Sequence, residues 1–179
     1  MKTTEAGALL DAETVCFRRV FSATVDQLWE FLVDGERRAR WLAGGVLEPR
    51  KGGRVELHFY NAGLSDQPDD LPPPKYADLP ERVSFSGVVT RWEPKRILAH
   101  TWVGDDEDSE VTYELAPHPD GVELTLTHRR LRPREHLVGA CGGWHTHLAI
   151  LGDVLAGRPP APFWRAHTAY EAEYEAIVP

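Results

Sequence analysis

Apolar and polar residues alternate along many short stretches between residues 13 and 128, which is the periodicity of half-buried β-strands. In the stretch ETVCFRRVF, for example, Val15, Phe17 and Phe21 share one face. Strands are predicted in this way at residues 13–21, 52–60, 81–92, 96–103, 110–115 and 122–128. Because short turns join most of them, the pattern predicts an antiparallel sheet with one packed and one solvated face.

Helical periodicity flanks this strand region and dominates the last third of the chain. Helices are predicted at residues 25–35, 36–42, 136–156 and 163–177. Ser22 or Thr24 is placed to cap the first of them. The third is amphipathic, since apolar residues recur there every three or four positions. The fourth is more polar, and we expect it on the outside of the domain or against a partner.

Two segments between the strands have no regular periodicity. Residues 61–80 are rich in proline and aspartate, and a loop of this length in a compact domain is usually a lid, a binding loop or a disordered insertion. Residues 104–109 are acidic and read as a solvated turn. We therefore expect the longer segment to cover a site and the shorter one to have no specific role.

Length and composition limit the classes of function. The 179 residues suit a single domain, 1–179, with a core at about 13–158 and an extra C-terminal helix at about 163–177. The net charge of -8 argues against nucleic acid or an anionic membrane as the main partner. Cys16 and Cys141 form no metal-binding spacing, and no signal peptide or membrane span is evident. We expect a cytoplasmic protein without metal or cofactor.

The order of the elements and several local phrases resemble one family. The phrases are LWEFLVDGERRARWL, KGGRVELHF, GVVTRWEPKRILAHTW, SEVTYEL, VELTLTHRRL and GGWHTHLAILGDVLAGRPPAPFW. Together they resemble the START-like (SRPBCC) superfamily, and within it the branch homologous to the activator of the heat-shock-protein-90 ATPase. The resemblance extends from about residue 15 to residue 174, in the family's own order.

This resemblance implies an α+β helix-grip fold, in which a curved antiparallel sheet wraps around the long C-terminal helix and leaves a cavity between them. Superfamily members bind lipids, hormones or polyketides there, and a few catalyse cyclisation or dehydration. The eukaryotic co-chaperone engages its chaperone through a separate N-terminal domain, for which we expect no counterpart in this chain. The family name therefore does not by itself imply a chaperone partner.

Histidines are the first candidates for chemistry. His145 and His147 are two apart in the third helix, so they point about 200° from each other and cannot share a metal ion. We expect His145 beside Trp144 at the cavity edge and His147 in solvent. His100 and His128 each occupy a strand position that calls for an inward apolar residue. Each is therefore either a ligand-binding or acid–base group, or a core histidine bonded to the backbone.

The other candidates are aromatic or cationic. Trp41 and Trp102 match aromatic positions that lie near the cavity in the resembling family, and Trp144 and Tyr113 are placed to line it. A zinc site built from three of the histidines is conceivable, but nothing local fixes its geometry. The run of Arg37, Arg38 and Arg40 either holds a ligand carboxylate or is simply solvated.

Three functions remain open from the sequence. The first is binding of a small hydrophobic or amphipathic molecule in the cavity, with the ligand-binding candidates His100, Trp102, Tyr113, His128, Trp41, Trp144 and His145. The second is a polyketide cyclase-like enzyme that uses a buried histidine as acid or base. The third is an interaction protein, such as a chaperone partner, which predicts a filled core. A homodimer through the last helix or the sheet edges is a further alternative.

Overall fold

The computed structural model of the protein describes residues 6–102 and 109–179, so most of the predicted acidic turn at 104–109 lies outside the described residues. The strands are β1 Ala8–Asp11, β2 Thr14–Phe21, β3 Arg54–Phe59, β4 Val83–Glu93, β5 Ile97–Thr101, β6 Glu110–His118 and β7 Gly121–Arg129. The helices are α1 Val25–Val33, α2 Gly35–Arg38, α3 Arg134–Leu155 and α4 Phe163–Ile177. Two short 3-10 turns, Asn61–Leu64 and Pro74–Tyr76, lie between β3 and β4.

The strands form one antiparallel, seven-stranded sheet in the order β1-β2-β7-β6-β5-β4-β3. The sheet is curved and the long helix α3 packs against it, so the fold is α+β and of the helix-grip kind, as the sequence predicts. Strands β4, β5, β6 and β7 are neighbours both in sequence and in the sheet, and β7 then pairs with β2 from the beginning of the chain. A common hydrophobic core joins the inner faces of the strands to α1, α3 and α4.

Local sequence explains where α1 begins. Thr24 accepts a hydrogen bond from the backbone N–H of Gln27 at 3.1 Å, and the Gln27 side chain accepts one from the backbone N–H of Thr24 at 2.9 Å. This reciprocal capping box satisfies two amide groups that the first turn would otherwise leave unpaired. Of the two predicted caps, Ser22 and Thr24, the second is the one used.

Strand β1 is a difference from the sequence prediction, which began at residue 13. Ala8–Asp11 pairs with β2 at the sheet edge, and most of its side chains are exposed. An edge strand that covers little of the core needs no alternation of apolar and polar residues, so periodicity does not reveal it. The second short helix also differs, since it ends at Arg38 instead of residue 42.

Helix α4 packs against α3. Its buried side chains are Phe163, His167, Glu171 and Tyr174. The two helices approach closely at Gly142, where a built Cβ atom would lie 3.1 Å from the Cα of Glu171. Glycine at this position therefore sets the distance between α3 and α4.

Candidate functional site

A cleft of about 1620 Å³ lies between α3, the first half of α4, strands β3 and β4, and the segment 60–85. Aromatic side chains dominate its wall. They are Phe59, Tyr60, Tyr76, Phe85, Trp102, Trp144, Phe163 and Trp164. The cleft is larger than the 300–1,000 Å³ typical of small-molecule sites. Its broad apolar surfaces suit an organic molecule with rings or chains.

One face of α3 forms a wall of the cavity. The lining residues His136, Gly139, Ala140, Gly143 and His147 follow the i, i+3, i+4, i+7, i+11 spacing of one helical face. A Cβ atom built on Gly139 or on Gly143 meets no atom within 4 Å. Unlike Gly142, these glycines are not required by packing, although each costs about 1 kcal/mol relative to alanine inside a helix. Their effect is to leave space in the cavity.

His147 is buried and lines the cavity between Phe59 and Phe163. Its Nδ1 lies 2.7 Å from the carbonyl oxygen of Trp41. A carbonyl only accepts, so Nδ1 carries the proton and Nε2 of the neutral ring is an acceptor. Burial lowers the pKa of His147 to about 4, against a smaller opposing effect of the Trp41 hydrogen bond. The ring is therefore neutral at pH 7, with one acceptor nitrogen at the cavity.

His128 also lines the cavity, but both of its ring nitrogens are engaged. Trp144 Nε1 donates to His128 Nδ1 at 3.0 Å. His128 Nε2 lies 3.3 Å from Ser109 Oγ, which in turn donates to the carbonyl oxygen of Trp102 at 2.8 Å. This chain assigns the proton of neutral His128 to Nε2. The ring has no spare lone pair for a substrate proton, and it instead orients Trp144 and Trp102 in the wall.

His167 on α4 adds a second imidazole to the same wall. The residue is 6% exposed, and its buried Nδ1 has no hydrogen-bond partner among the residues described. Its ring stacks on Phe163 with centroids 5.7 Å apart, and the centroid of the His147 ring lies 5.2 Å from that of the same Phe163 ring. Burial lowers the pKa of His167, and the nearby Glu171 carboxylate opposes this effect. The two imidazoles thus contact one phenyl ring.

The proline- and aspartate-rich segment 61–80 forms the outer wall of the cavity and is fastened to α4 at two places. Asp70 accepts hydrogen bonds from the first amide groups of the helix, those of Trp164 at 2.6 Å and Arg165 at 3.0 Å. Further along, Lys75 Nζ lies 2.8 Å from a carboxylate oxygen of Glu171, and the Tyr76 hydroxyl donates to the same oxygen. The predicted covering role of this segment agrees with its position.

Removing the hydrogen bonds of Asp70 to α4 is expected to make the segment 61–80 more mobile without unfolding the domain. In Asp70→Ala the amide groups that begin α4 lose their cap, which costs about 1 kcal/mol of stability. We expect faster amide hydrogen exchange in residues 66–80 and at the start of α4, and unchanged exchange in β6 and β7. Asp69→Ala is the matched control, since Asp69 is exposed and its side chain makes no hydrogen bond to any residue in the described part of the chain. Equal exchange in both variants would contradict the fastening role of Asp70.

The structure separates the sequence candidates into two groups. Trp102, His128 and Trp144 line the cavity, whereas Trp41, His100, Tyr113 and His145 do not. Trp41 is fully buried, and its Nε1 donates to the carbonyl oxygen of Phe31 at 2.9 Å. It contributes to the site only through its own carbonyl, which holds His147.

His100 and Tyr113 lie in the core, next to Trp102. The His100 ring stacks on Trp102 at 6.1 Å and its Nδ1 lies 2.9 Å from the carbonyl oxygen of Thr101. Burial lowers the pKa of His100 to about 4 and raises the pKa of Tyr113. Both groups are therefore neutral at pH 7, and they pack behind the cavity wall.

The two helical histidines are placed differently from the expectation. His147 was expected in solvent and is instead buried at the cavity. His145 lies under α4, with its ring stacked on Tyr170 at a centroid distance of 3.7 Å and its Nδ1 3.0 Å from the Tyr174 hydroxyl oxygen. Burial lowers the pKa of His145 to about 4. The expectation of a solvated His147 failed because α4 and β3 cover the side of α3 that was assigned to solvent.

The arginine run has a structural role. Arg38 is 2% exposed, and its guanidinium donates to a ring of backbone carbonyls. The accepting residues are Leu32, Val33, Ala43, Gly44 and Gly45. Arg37 pairs with Glu30 on the surface, and Arg40 lies over the ring of Phe31. None of these arginines lines the cavity, so they do not provide a carboxylate site there.

The described part of the chain shows neither a metal site nor a membrane-spanning helix. Among residues 6–102 and 109–179, no group of three or more His, Cys, Asp or Glu side chains is arranged to hold a metal ion. The zinc site considered for three of the histidines is not formed, since His145 lies away from the cavity that His128 lines. Over the same residues, no helix has the length and apolar content to cross a membrane.

A curved antiparallel sheet, a long helix against it and a cleft between them define the helix-grip class of proteins. The sequence profile described as activator of Hsp90 ATPase homolog 1-like protein matches residues 22–156, and the chain belongs to this family. The resemblance drawn from the sequence phrases is thereby confirmed. No match to a functionally curated protein was found.

Solved structures of similar proteins show the same fold. A solution structure of a Bordetella parapertussis protein is 40% identical, with a TM-score of 0.79, covering 96% of this chain and 89% of that one. The crystal structure of CalU16 from Micromonospora echinospora is 25% identical, with a TM-score of 0.66 and coverages of 97% and 94%. A crystal structure from Rhodobacter sphaeroides is also 25% identical, with a TM-score of 0.63 and coverages of 84% and 97%.

Sequence reasoning missed the glycine and histidine row of α3. Gly139, Gly143 and His147 recur every four residues, on a face next to the apolar stripe. Small residues repeated at helical spacing beside a predicted core stripe are the signal that would have found this face. The role of His167 had no comparable signal, because the packing of α4 against α3 decides it.

Proposed function

We propose that this protein binds a small apolar or amphipathic organic molecule in the cavity between the sheet and α3. The observation that carries the proposal is the open space over Gly139 and Gly143. A helix that served only to fill the core would be expected to carry larger side chains at these positions, because alanine alone is about 1 kcal/mol better there. The aromatic walls and the fastened segment 61–80 fit the same function.

A second candidate is a cyclase-like enzyme, and one observation favours it. The Nε2 atom of His147 is an acceptor at an apolar cavity, where it can take a proton from an acidic C–H or O–H group of a substrate. A pKa of about 4 makes this ring a weak base at neutral pH. Binding is therefore the main proposal, with turnover of the bound molecule as the alternative. His128 is not a candidate base, since both of its nitrogens are engaged.

The interaction-protein hypothesis is less well supported. It predicts a filled core, whereas the cleft here measures about 1620 Å³. It also predicts that the last helix presents an apolar patch, whereas Phe163 and Tyr174 of α4 are buried against the domain. We expect the binding protein to work in the cytoplasm without nucleic-acid or membrane partners, and a homodimer remains an untested alternative.

Native mass spectrometry of the purified protein, compared with its denatured mass, tests the proposal, together with titration of the neutral fluorescent probe N-phenyl-1-naphthylamine. We expect either a copurified organic mass or stoichiometric binding of the probe at one site. A fully ligand-free protein that also fails to bind the probe would overturn the proposal. A metal-sized mass excess would do so as well, since it would assign the site to a metal.

A further inference from the structure

We propose that the His147 and His167 end of the cavity selects neutral ligands that carry a hydroxyl donor on an aromatic ring, that is, phenols. This inference rests on the proposed function and names the ligand class of the same cavity. It follows from the fixed tautomer of His147, from the rings around it and from the charges that line the site.

The first step is the direction of the hydrogen bond. The Trp41 carbonyl oxygen, 2.7 Å from Nδ1, fixes the proton of His147 on that atom. Nε2 has no hydrogen-bond partner among the described residues, so it is free to accept a hydrogen bond from a bound molecule in place of water. A ligand O–H satisfies this nitrogen, whereas an ether or ketone oxygen at the same place offers only another acceptor.

The second step is the shape of the surroundings. The ring of His147 lies 5.9 Å from that of Phe59 and 5.2 Å from that of Phe163. Beyond Phe163, the His167 ring is enclosed by Tyr76 and Trp164, at centroid distances of 5.4 and 5.9 Å. Aromatic pairs favour such edge and offset geometries, so a flat ring is the ligand shape that continues this arrangement.

The third step is charge. Lys75 and Arg82 are the lysine and arginine among the described lining residues; Lys75 pairs with Glu171, and the Arg82 guanidinium lies 4.0 Å from the centroid of the Tyr60 ring. Carboxylates that line the cavity are Asp66, Asp70, Glu81 and Glu135. An anionic ligand would therefore meet more like charges than opposite ones. A neutral phenol avoids this repulsion.

The unpaired nitrogen of His167 supports the same ligand class. A histidine nitrogen buried without a partner is uncommon, because no hydrogen bond offsets the free energy that it costs to remove the nitrogen from water. The ring of His167 lies beside the same phenyl ring as His147, so two imidazoles stand at one end of the cavity. A hydroxylated ring at this end would bring its hydroxyl group to the imidazoles and its apolar edge to the aromatic side chains of the wall.

Four naphthalene probes of nearly equal size test the proposal by calorimetry at neutral pH. They are 2-naphthol, 2-methoxynaphthalene, naphthalene and 2-naphthoate. We expect 2-naphthol to bind about tenfold more tightly than 2-methoxynaphthalene and naphthalene, the difference that one net hydrogen bond makes. We expect 2-naphthoate to bind most weakly.

His147→Asn is the critical variant, because asparagine keeps an amide donor near the position of Nδ1 for the Trp41 carbonyl and removes Nε2. We expect it to lose the preference for 2-naphthol and to keep the affinity for naphthalene within about threefold. His118→Asn is the matched control, since this histidine ends β6, does not line the cavity and should leave the preference unchanged. Circular dichroism and thermal unfolding establish that both variants are folded.

The outcomes separate the inference from the proposed function. Binding of all four probes with equal affinity, or a preference for 2-naphthol that persists in His147→Asn, would overturn the inference and leave the cavity a binding site. Tightest binding of 2-naphthoate would overturn the inference through its charge argument. Failure of every probe to bind would overturn both the inference and the proposed function.

Discussion

Replacing Gly143 with tryptophan is expected to weaken ligand binding by more than tenfold while leaving the protein folded. A Cβ atom at this position meets nothing within 4 Å, and the side chain would extend into the space between α3 and the aromatic wall. An indole placed there removes volume that a ligand needs and blocks the approach to His147, one helical turn away. Titration of N-phenyl-1-naphthylamine into both proteins measures the effect.

The fold should tolerate this change, because the new Cβ atom meets nothing within 4 Å and the open cleft of about 1620 Å³ has room for the indole. Loss of a mid-helix glycine also favours α3 by a few tenths of a kcal/mol to about 1 kcal/mol. Ala149→Trp is the matched control, since Ala149 is an exposed position on the same helix that does not line the cavity. Unchanged probe affinity in Gly143→Trp would show that the cleft is not the binding site.

The free energy of unfolding is expected to fall steeply as the pH is lowered from about 6.5 towards 4. His100, His145 and His147 are buried, and burial lowers the pKa of each to about 4. In the unfolded chain the same side chains have a pKa of about 6.5. Between these values the unfolded state binds more protons than the folded state, so stability is full above the upper value and is lost as the pH falls through the window.

The size of the effect follows from the number of protons. Each histidine contributes at most about 1.4 kcal/mol per pH unit, so three of them give a slope of up to about 4 kcal/mol per unit near pH 5. Between pH values of about 6.5 and 4, such a slope would remove most of a total free energy of unfolding of about 5–15 kcal/mol. Denaturant titrations at several pH values measure the slope. His147→Asn should reduce this slope by about 1.4 kcal/mol per pH unit, the contribution of one proton. A free energy of unfolding that does not change from pH 7 to 5 would contradict the buried, neutral state of these rings.

Much of the fold was accessible from patterns along the chain. Alternation in stretches such as residues 13–21 and 122–128 predicted strands, because one face of each is buried in the core and the other is not. Period and length together predicted α3, and the absence of any period at residues 61–80 predicted a lid, a binding loop or a disordered insertion. Strand β1 was missed because its edge position leaves most of its side chains exposed.

The candidate site was only partly accessible. Trp102, His128 and Trp144 were predicted at the cavity and line it, since their strand or helix face can be read from neighbouring apolar residues. His100 and Tyr113 have the same inward pattern but lie behind the wall, where the interior is filled. One-dimensional periodicity distinguishes inside from outside, and it cannot distinguish a packed interior from an empty one.

Local patterns along the chain were sufficient to predict most of the elements, the antiparallel sheet and the long helix against it, because hydrophobic periodicity and caps act over a few residues. The positions of His145 and His147 depend on the packing of whole elements, which places His147 at the cavity and His145 under α4. Helix α4 buries the first against Tyr170 and Tyr174, while the Trp41 carbonyl, 106 residues away, fixes the second at the cavity. Such contacts join residues that share no local pattern, so only the packing of whole elements establishes them.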